Sequence, residues 1–308
     1  LNMHSDNTRI NGWINLNKPE GISSSKCVIT LKKILNVKKI GHAGTLDPLA
    51  SGVLPIAIGE ATKSIRFVSD EHKTYTFNIC WGVETSTDDK EGTIIRKTKR
   101  RPKEFTILQN IEKFIGEIDQ RPPIYSAIKI NGKRAYNIAR SGKIPELKKR
   151  KVTIFKFILK KIISEDEAEF TVKCSKGTYI RSLARDLGNE IGVLGHISML
   201  KREEVGTFLN NRSISLDQIK KLSHNSAIED IILPILYPIN ANYIIEINDE
   251  VSKSLIKGKK VLINFLEENT NFQKIKEGSL FLAIMSNIPI AICSLENCFL
   301  KPKRVFNL

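Results

Sequence analysis

Gly41-His42-Ala43-Gly44-Thr45-Leu46-Asp47-Pro48-Leu49-Ala50-Ser51-Gly52 is the stretch on which the reading of this chain turns. Its three glycines open backbone conformations closed to other residue types and let a ligand approach the main chain. Asp47 precedes Pro48, and the proline ring disfavours the α region for the residue before it, so Asp47 is expected to be extended. The loop is then stiff and presents one carboxylate. Two uses fit such a carboxylate. It does chemistry, or it only closes an Asp-Pro turn by accepting nearby backbone N–H groups.

On both sides of the loop the pattern predicts regular elements. Val28, Leu31 and Leu35 recur at helical spacing, with Ser23 or Ser24 available as N-cap, which predicts a helix over 24–35. Residues 53–58 are a short apolar run ended by Gly59 and read as a buried strand. Residues 73–83 alternate, placing Tyr75, Phe77, Ile79, Trp81 and Val83 on one strand face. A strand at 168–174 leads through Gly177 into a helix with Ile180, Leu183, Ala184, Leu187 and Ile191 on one side. Strands and helices mix without regular βαβ alternation, so the expected class is α+β. From about residue 245 short strand signals take over, at 260–265, 280–285, 288–294 and 303–307, with Gly258 and Gly278 as turns. That tail reads as a separate small β-rich module.

Composition narrows the partner. The 308 residues suffice for one large core and a small appended unit, and 41% hydrophobic with 27% charged residues fits a soluble globular protein. A net charge of +16 favours a polyanion, because each neutralised phosphate releases condensed counterions. A lysine-rich genome would also raise the charge. Two basic runs, Lys97 to Lys103 and Lys148 to Lys151, suit RNA but read equally as solvated loops. The five cysteines show no C-x-x-C spacing and the five histidines are scattered, so neither a disulfide framework nor a metal site is expected. A reducing cytoplasm is the simplest setting. The apolar stretch 231–239 carries Pro234 and Pro238 and is too short to span a bilayer, and no secretory signal is expected.

The glycine-bounded loop resembles the catalytic loop of the TruB family of tRNA pseudouridine synthases, G-H-[AT]-G-[AT]-L-D-P-x-A-[TS]-G. Val53-Leu54-Pro55-Ile56 and Gly59-Glu60-Ala61-Thr62-Lys63 continue the likeness. So do Leu16-Asn17-Lys18-Pro19-Glu20-Gly21-Ile22-Ser23-Ser24, Lys73-Thr74-Tyr75, and Cys174-Ser175-Lys176-Gly177-Thr178-Tyr179-Ile180-Arg181-Ser182-Leu183. Pro122 to Lys129 followed by Gly132 to Tyr136 resembles the family's RNA-gripping thumb insertion. The resemblance is strong over residues 10–235, and the tail resembles a PUA domain more weakly. It implies a catalytic domain of the pseudouridine synthase fold over 10–244, a mixed, largely antiparallel sheet flanked by helices and loops. The thumb would lie at about 121–152, and a small PUA-like β-barrel would fill 245–308. The glycine-rich PUA strand is missing; Ala283-Ile284-Met285-Ser286-Asn287 stands in its place.

Carried onto these positions, the resemblance makes Asp47 the catalytic carboxylate, with Tyr75 and Arg181 as its active-site partners. The reaction breaks the uridine N1–C1′ bond, turns the uracil and joins C5 to C1′, so no cofactor is implied. A carboxylate suits the task because it can form a covalent intermediate and then leave. Attack at C1′, attack at C6 and initial removal of a ribose proton all remain open. Arg181 would begin a helix where a cation opposes the macrodipole; pairing with Asp47 explains it, and a solvated surface arginine is the alternative. Tyr75 stacks on the extruded uracil and is a candidate for the later C5 proton transfer, or is a core aromatic. His42 fills the gap left by the flipped base, or is a hydrogen-bonding loop residue. Gly44, Leu46, Tyr179, Leu200 and Lys18 would surround the substrate, although core packing accounts for Leu200 equally well. Lys129, Lys133, Arg134, Arg140 and Lys143 would touch phosphates, which position RNA without reading sequence.

The expected substrate is the T arm of tRNA, modified at position 55 of the T loop by a monomer needing no guide RNA or membrane. A dyskerin-type subunit is disfavoured by the bacterial-style thumb and the lack of a long basic tail. A non-catalytic RNA chaperone is disfavoured by Asp47, Tyr75 and Arg181 standing together. A glycosidase needs a second acid, and the matching segments hold none.

Overall fold

A computed structural model describes residues 10–130, 132–224, 227–262 and 277–308 of the chain. A ten-stranded mixed sheet forms its centre. The first strands are β1 (Gly12–Lys18), β2 (Ile40–His42), β3 (Ala50–Ile58) and β4 (Lys73–Trp81). Two short strands, β5 (Val83–Thr85) and β6 (Ile94–Lys97), form a separate hairpin. The sheet resumes with β7 (Gly116–Gln120), and β8 (Lys129–Ile130) and β9 (Lys133–Arg134) pair apart from it. It ends with β10 (Arg150–Ser164), β11 (Glu167–Cys174), β12 (Gly195–Val205), β13 (Phe208–Leu209) and β14 (Ile214–Ser215). Spatial order is β14-β1-β3-β12-β4-β11-β10-β7, with β13 beside β12 and β2 beside β3. Only β1·β14 and β3·β12 are parallel.

Each face of this sheet has its own cover. One carries α1 (Ser24–Leu35), α3 (Glu104–Ile111), α5 (Ile180–Ile191) and α6 (Leu216–His224), which bury Leu31, Ile107, Leu183 and Ile219 against Ile14, Leu54, Phe77 and Phe170. A short α2 (Ile65–Ser69) lies toward the opposite face, where Trp13, Val53, Ala57 and Phe67 pack with Leu282, Ile292 and Phe306 from the C-terminal sheet. Strand β3 is buried on both sides, which is why its sequence is apolar without alternation. The helix at 24–35 is capped as its sequence suggests: the Ser23 side chain accepts from the Lys26 N–H, and Asn36 ends it in the left-handed region.

The C-terminal sheet runs β15-β17-β18-β19-β16. Its strands are β15 (Ile244–Glu246), β16 (Val261–Leu262), β17 (Leu280–Met285), β18 (Ile288–Glu296) and β19 (Phe299–Val305). Half of the predicted strand 260–265 lies outside the described residues, and the last strand begins at Phe299 rather than 303. A helix the sequence pattern does not predict, α7 (Asp249–Ile256), is capped by the Asn248 side chain and buries Val251 and Leu255. The segment replacing the glycine-rich PUA strand closes a hairpin. Ser286 and Asn287 both take positive φ between the paired Met285 and Ile288, so a two-residue turn of the kind that suits strand twist survives without glycine. The insertion joins β7 to β10, whose ends pair at Gln120 and Arg150, and α4 (Ala135–Arg140) completes it. No described helix is long and apolar enough to cross a membrane.

Candidate active site

The loop after β2 is fixed nearly residue by residue. Ser24 Oγ accepts from the Leu46 N–H at 2.8 Å and donates to its carbonyl at 3.0 Å. The Lys18 ammonium donates to the Pro19, Ile22 and Pro48 carbonyls at 2.9, 2.7 and 3.2 Å. The family resemblance sets Lys18 against substrate, and the geometry corrects that: it is fully buried, and its three protons are spent on main-chain carbonyls. Burial lowers its pKa. The turn foreseen at Asp-Pro also exists, since the Ala50 N–H donates to the Asp47 carbonyl at 3.1 Å. It uses the main chain of Asp47 and leaves the carboxylate free for another partner.

That partner is Arg181. Its Nε lies 2.8 Å from Asp47 Oδ2, with the arginine side chain 5% and the aspartate 35% exposed. The Nε–H is not aimed along this contact, so the attraction is chiefly electrostatic. Arg181 sits in the first turn of α5, and its other nitrogens donate to the Thr87 carbonyl at 2.8 Å and the Tyr125 carbonyl at 3.0 Å. A second carboxylate also shares this guanidinium: Asp89 Oδ2 is 3.5 Å from Nη1 and the residue is 3% exposed. The absence of a second acid holds for the motif segments but not for the folded site. Asp89 is not part of the pocket lining; it offsets the charge of the buried cation, while Asp47 faces the pocket.

Asp47 opens on a pocket of about 270 Å³ lined by Gly44, Leu46, Tyr75, Tyr179, Arg181 and Leu200, among others. That volume suits one nucleoside rather than a larger ligand. Tyr75 and Leu200 are both nearly buried and hold its floor; burial pushes the Tyr75 phenol up. Tyr179 caps α5, and its main chain pairs reciprocally with the Gln120 side chain at 2.8 and 3.0 Å. Burial raises its phenol as well. His42, at the end of β2, is half-buried. Burial and the nearby Arg202 charge hold its imidazole below the ordinary histidine range, and its buried Nδ1 has no hydrogen-bond partner among the described residues. Lys129 and Arg134 stand exposed on the β8–β9 hairpin, outside the pocket lining.

Sequence reasoning misses Asp89, Lys73 and Arg202. Lys73 is buried on the pocket wall, with burial and Arg202 lowering its ammonium to about 8. Arg202 has one available signal, its position two residues after Leu200 and so on the same strand face. The alternation that carries Val83 into the strand of Tyr75 overshoots: Gly82, at φ +85°, ends β4 at Trp81.

A part-exposed carboxylate paired with a buried arginine beside a small pocket, on a mixed sheet with a curled β-sheet appended, fits the pseudouridine synthase class. The TruB family pseudouridylate synthase (N terminal domain) model matches residues 32–180, and the tRNA pseudouridylate synthase B C-terminal domain model matches residues 181–240. The chain is 44% identical to tRNA pseudouridine synthase B of Ehrlichia chaffeensis, over 96% of this chain and 99% of that one. It is 41% identical to that of Bradyrhizobium diazoefficiens, over 98% and 88%. A solved Cbf5-Nop10-Gar1 complex contains a chain of similar fold, with TM-score 0.76 and 25% identity over 96% of this chain and 85% of that one. This chain belongs to the TruB family of pseudouridine synthases.

Proposed function

We propose that the protein isomerises uridine 55 in the T loop of tRNA, with Asp47 as the reacting carboxylate and no cofactor or guide RNA. The observation that carries this reading is Asp47 held 2.8 Å from Arg181 at the mouth of a pocket sized for one nucleoside. A stacked uridine hides its glycosidic bond, so the nucleotide must rotate out of the loop, at a cost of a few kcal/mol. Once in the pocket it meets Tyr75, whose ring stacks on the uracil, and Leu200 below. Arg181 stays paired with the Asp47 carboxylate in a site that substrate closes to water. Bond cleavage leaves a free uracil that must turn in place, and close walls keep it there. The phenol of Tyr75 stays protonated at neutral pH and is the candidate for moving the C5 proton. His42, neutral and half-buried beside the glycine loop, occupies the gap in the RNA stack. Lys129 and Arg134, projecting from the insertion, hold phosphates.

Two supports favour tRNA as the substrate: the names of the relatives, and a charge of +16 that suits a folded polyanion. The test is incubation of the purified protein with an unmodified T-arm stem-loop, without guide RNA or added metal, followed by carbodiimide mapping of pseudouridine. Product at position 55 is expected. Product only with a guide RNA present, or at another position, overturns the reading.

A further inference from the structure

Arg202 is a buried cation beneath the site that the mechanism above leaves without a role. It stands on β12 opposite Gly52 of β3 and Tyr75 of β4, and is 1% exposed. Its Nε donates to the Val53 carbonyl at 2.7 Å and its Nη2 to the Gly44 carbonyl at 2.9 Å. Both acceptors are main-chain carbonyls rather than carboxylates. Two of the guanidinium nitrogens are thus spent on the main chain around Asp47 rather than on a counter-ion.

The two carbonyls it holds flank Asp47 in the chain: Gly44 lies in the loop before it, and Val53 on β3 just past the loop. The loop glycines match this arrangement. A Cβ on Gly44 would come within 3.4 Å of Arg202 Nη1, and one on Gly52 within 2.2 Å of the Arg202 carbonyl oxygen, with φ of +92° and +97° at the two positions. Ser24 and Lys18 hold the middle of the loop from the helix side; Arg202 ties its ends from the sheet side. The same guanidinium lies beside Tyr75 and His42, where it favours the ionised phenol and the neutral imidazole.

We propose that Arg202 is a positioning residue for the isomerisation: it clamps the chain on either side of Asp47, at Gly44 and Val53, and so fixes where Asp47 and Tyr75 meet the nucleotide. The proposal rests on the reading of Asp47 as the reacting group. In full-length protein, Arg202→Lys keeps the charge but loses the fork, and Arg202→Met loses both. Single-turnover rate and T-arm affinity are measured for each, with wild type and Asp47→Asn alongside, and His42 is titrated by NMR. Arg202→Lys is expected to fold and to bind within about threefold of wild type, with a rate about 100-fold lower, since small misplacements of reacting groups cost that much. Arg202→Met is expected to be at least as slow, with the His42 pKa raised, while Arg202→Lys leaves it low. A folded Arg202→Lys within about threefold of the wild-type rate overturns the proposal. So does a loss lying wholly in affinity. Failure of both variants to fold also overturns it, because Arg202 would then hold the sheet rather than the loop. Wild type that makes no pseudouridine, or an active Asp47→Asn, removes the underlying reading and the proposal with it.

Discussion

The loop of residues 41–52 and the insertion of residues 121–149 border the same pocket, yet they are built in opposite ways. The loop is held by Ser24, Lys18 and Arg202, all buried, which bond its main chain along its length. Among the described residues, the hydrogen bonds that tie the insertion to the α5 helix lie at its root. There Arg181 donates to the Tyr125 carbonyl, and Ser182 and Arg185 both reach the Arg121 carbonyl, while Lys129, Lys133, Arg134 and Lys143 beyond it are exposed. Chemistry needs its reacting atoms in one place before substrate arrives, whereas phosphate contacts tolerate adjustment. Loss of a loop residue should therefore be read in turnover, and loss of an insertion residue in affinity.

The largest separation is expected at Asp47. Replacing Asp47 by Asn preserves shape and removes the oxygen proposed to react, so turnover on a T-arm stem-loop should fall by on the order of 10⁴-fold or more. RNA affinity in a filter-binding assay should stay within about threefold. Turnover near the wild-type level would erase the contrast at its strongest point.

Arg181 belongs to both regions, since it faces Asp47 on one side and the Tyr125 carbonyl on the other. Arg181→Met leaves Asp89 buried with its cation gone, a change that typically costs about 3–5 kcal/mol. Denaturant unfolding should register that loss, and single-turnover assays on the remaining folded protein should show a rate lower by about 10²–10³-fold. A slow variant of unchanged stability would mean that Asp89 does not depend on the arginine.

Asp88, between β5 and β6 and paired with Arg185 of α5 at 2.9 Å, supplies a pH signature. Burial, opposed by Arg185, raises its carboxyl from 3.8 to about 6. Between those values the folded chain holds a proton that the unfolded chain has released, so this contribution to stability is present at low pH and is lost as pH rises through about 6. The size is about 3 kcal/mol at most. Urea unfolding of wild type and Asp88→Asn from pH 4 to 7 isolates it, because other carboxylates cancel in the difference. Wild type should lose stability relative to the variant across that window, and parallel curves would sink the assignment.

Legibility in the sequence differs between the same two regions. The strands at 53–58 and 73–81 are plain in the pattern, because one is buried on both faces and the other on alternate residues. Asp47 and Arg181 follow from motif and dipole arguments that need no knowledge of the far chain. Arg202, Asp89 and the burial of Lys18 depend on contacts between distant segments, which local pattern does not encode. Lys18, which the resemblance sets beside the substrate, follows the apolar run Trp13-Ile14 and Leu16, which marks a strand deep enough to bury it. Helix α7 escapes because Val251 and Leu255 alone are too few for a periodic signal, though Asn248 is a visible cap.

The smallest effect belongs to the insertion itself. Lys129 is exposed on a two-stranded hairpin that pairs with no other strand, so its alanine variant should fold normally. Removing one cation from the phosphate backbone should raise Kd by about two- to fivefold at moderate salt and reduce the slope of log K against log salt by about one. The rate with RNA at saturation should not change. Arg134→Ala tests the same point with an extra consequence, because its guanidinium also donates to the Ala127 carbonyl just before the hairpin. A saturating rate that falls with either variant would mean that the insertion helps to set the geometry of Asp47. The division between a rigid loop for chemistry and an adaptable arm for grip would then have to be redrawn at the Tyr125 carbonyl.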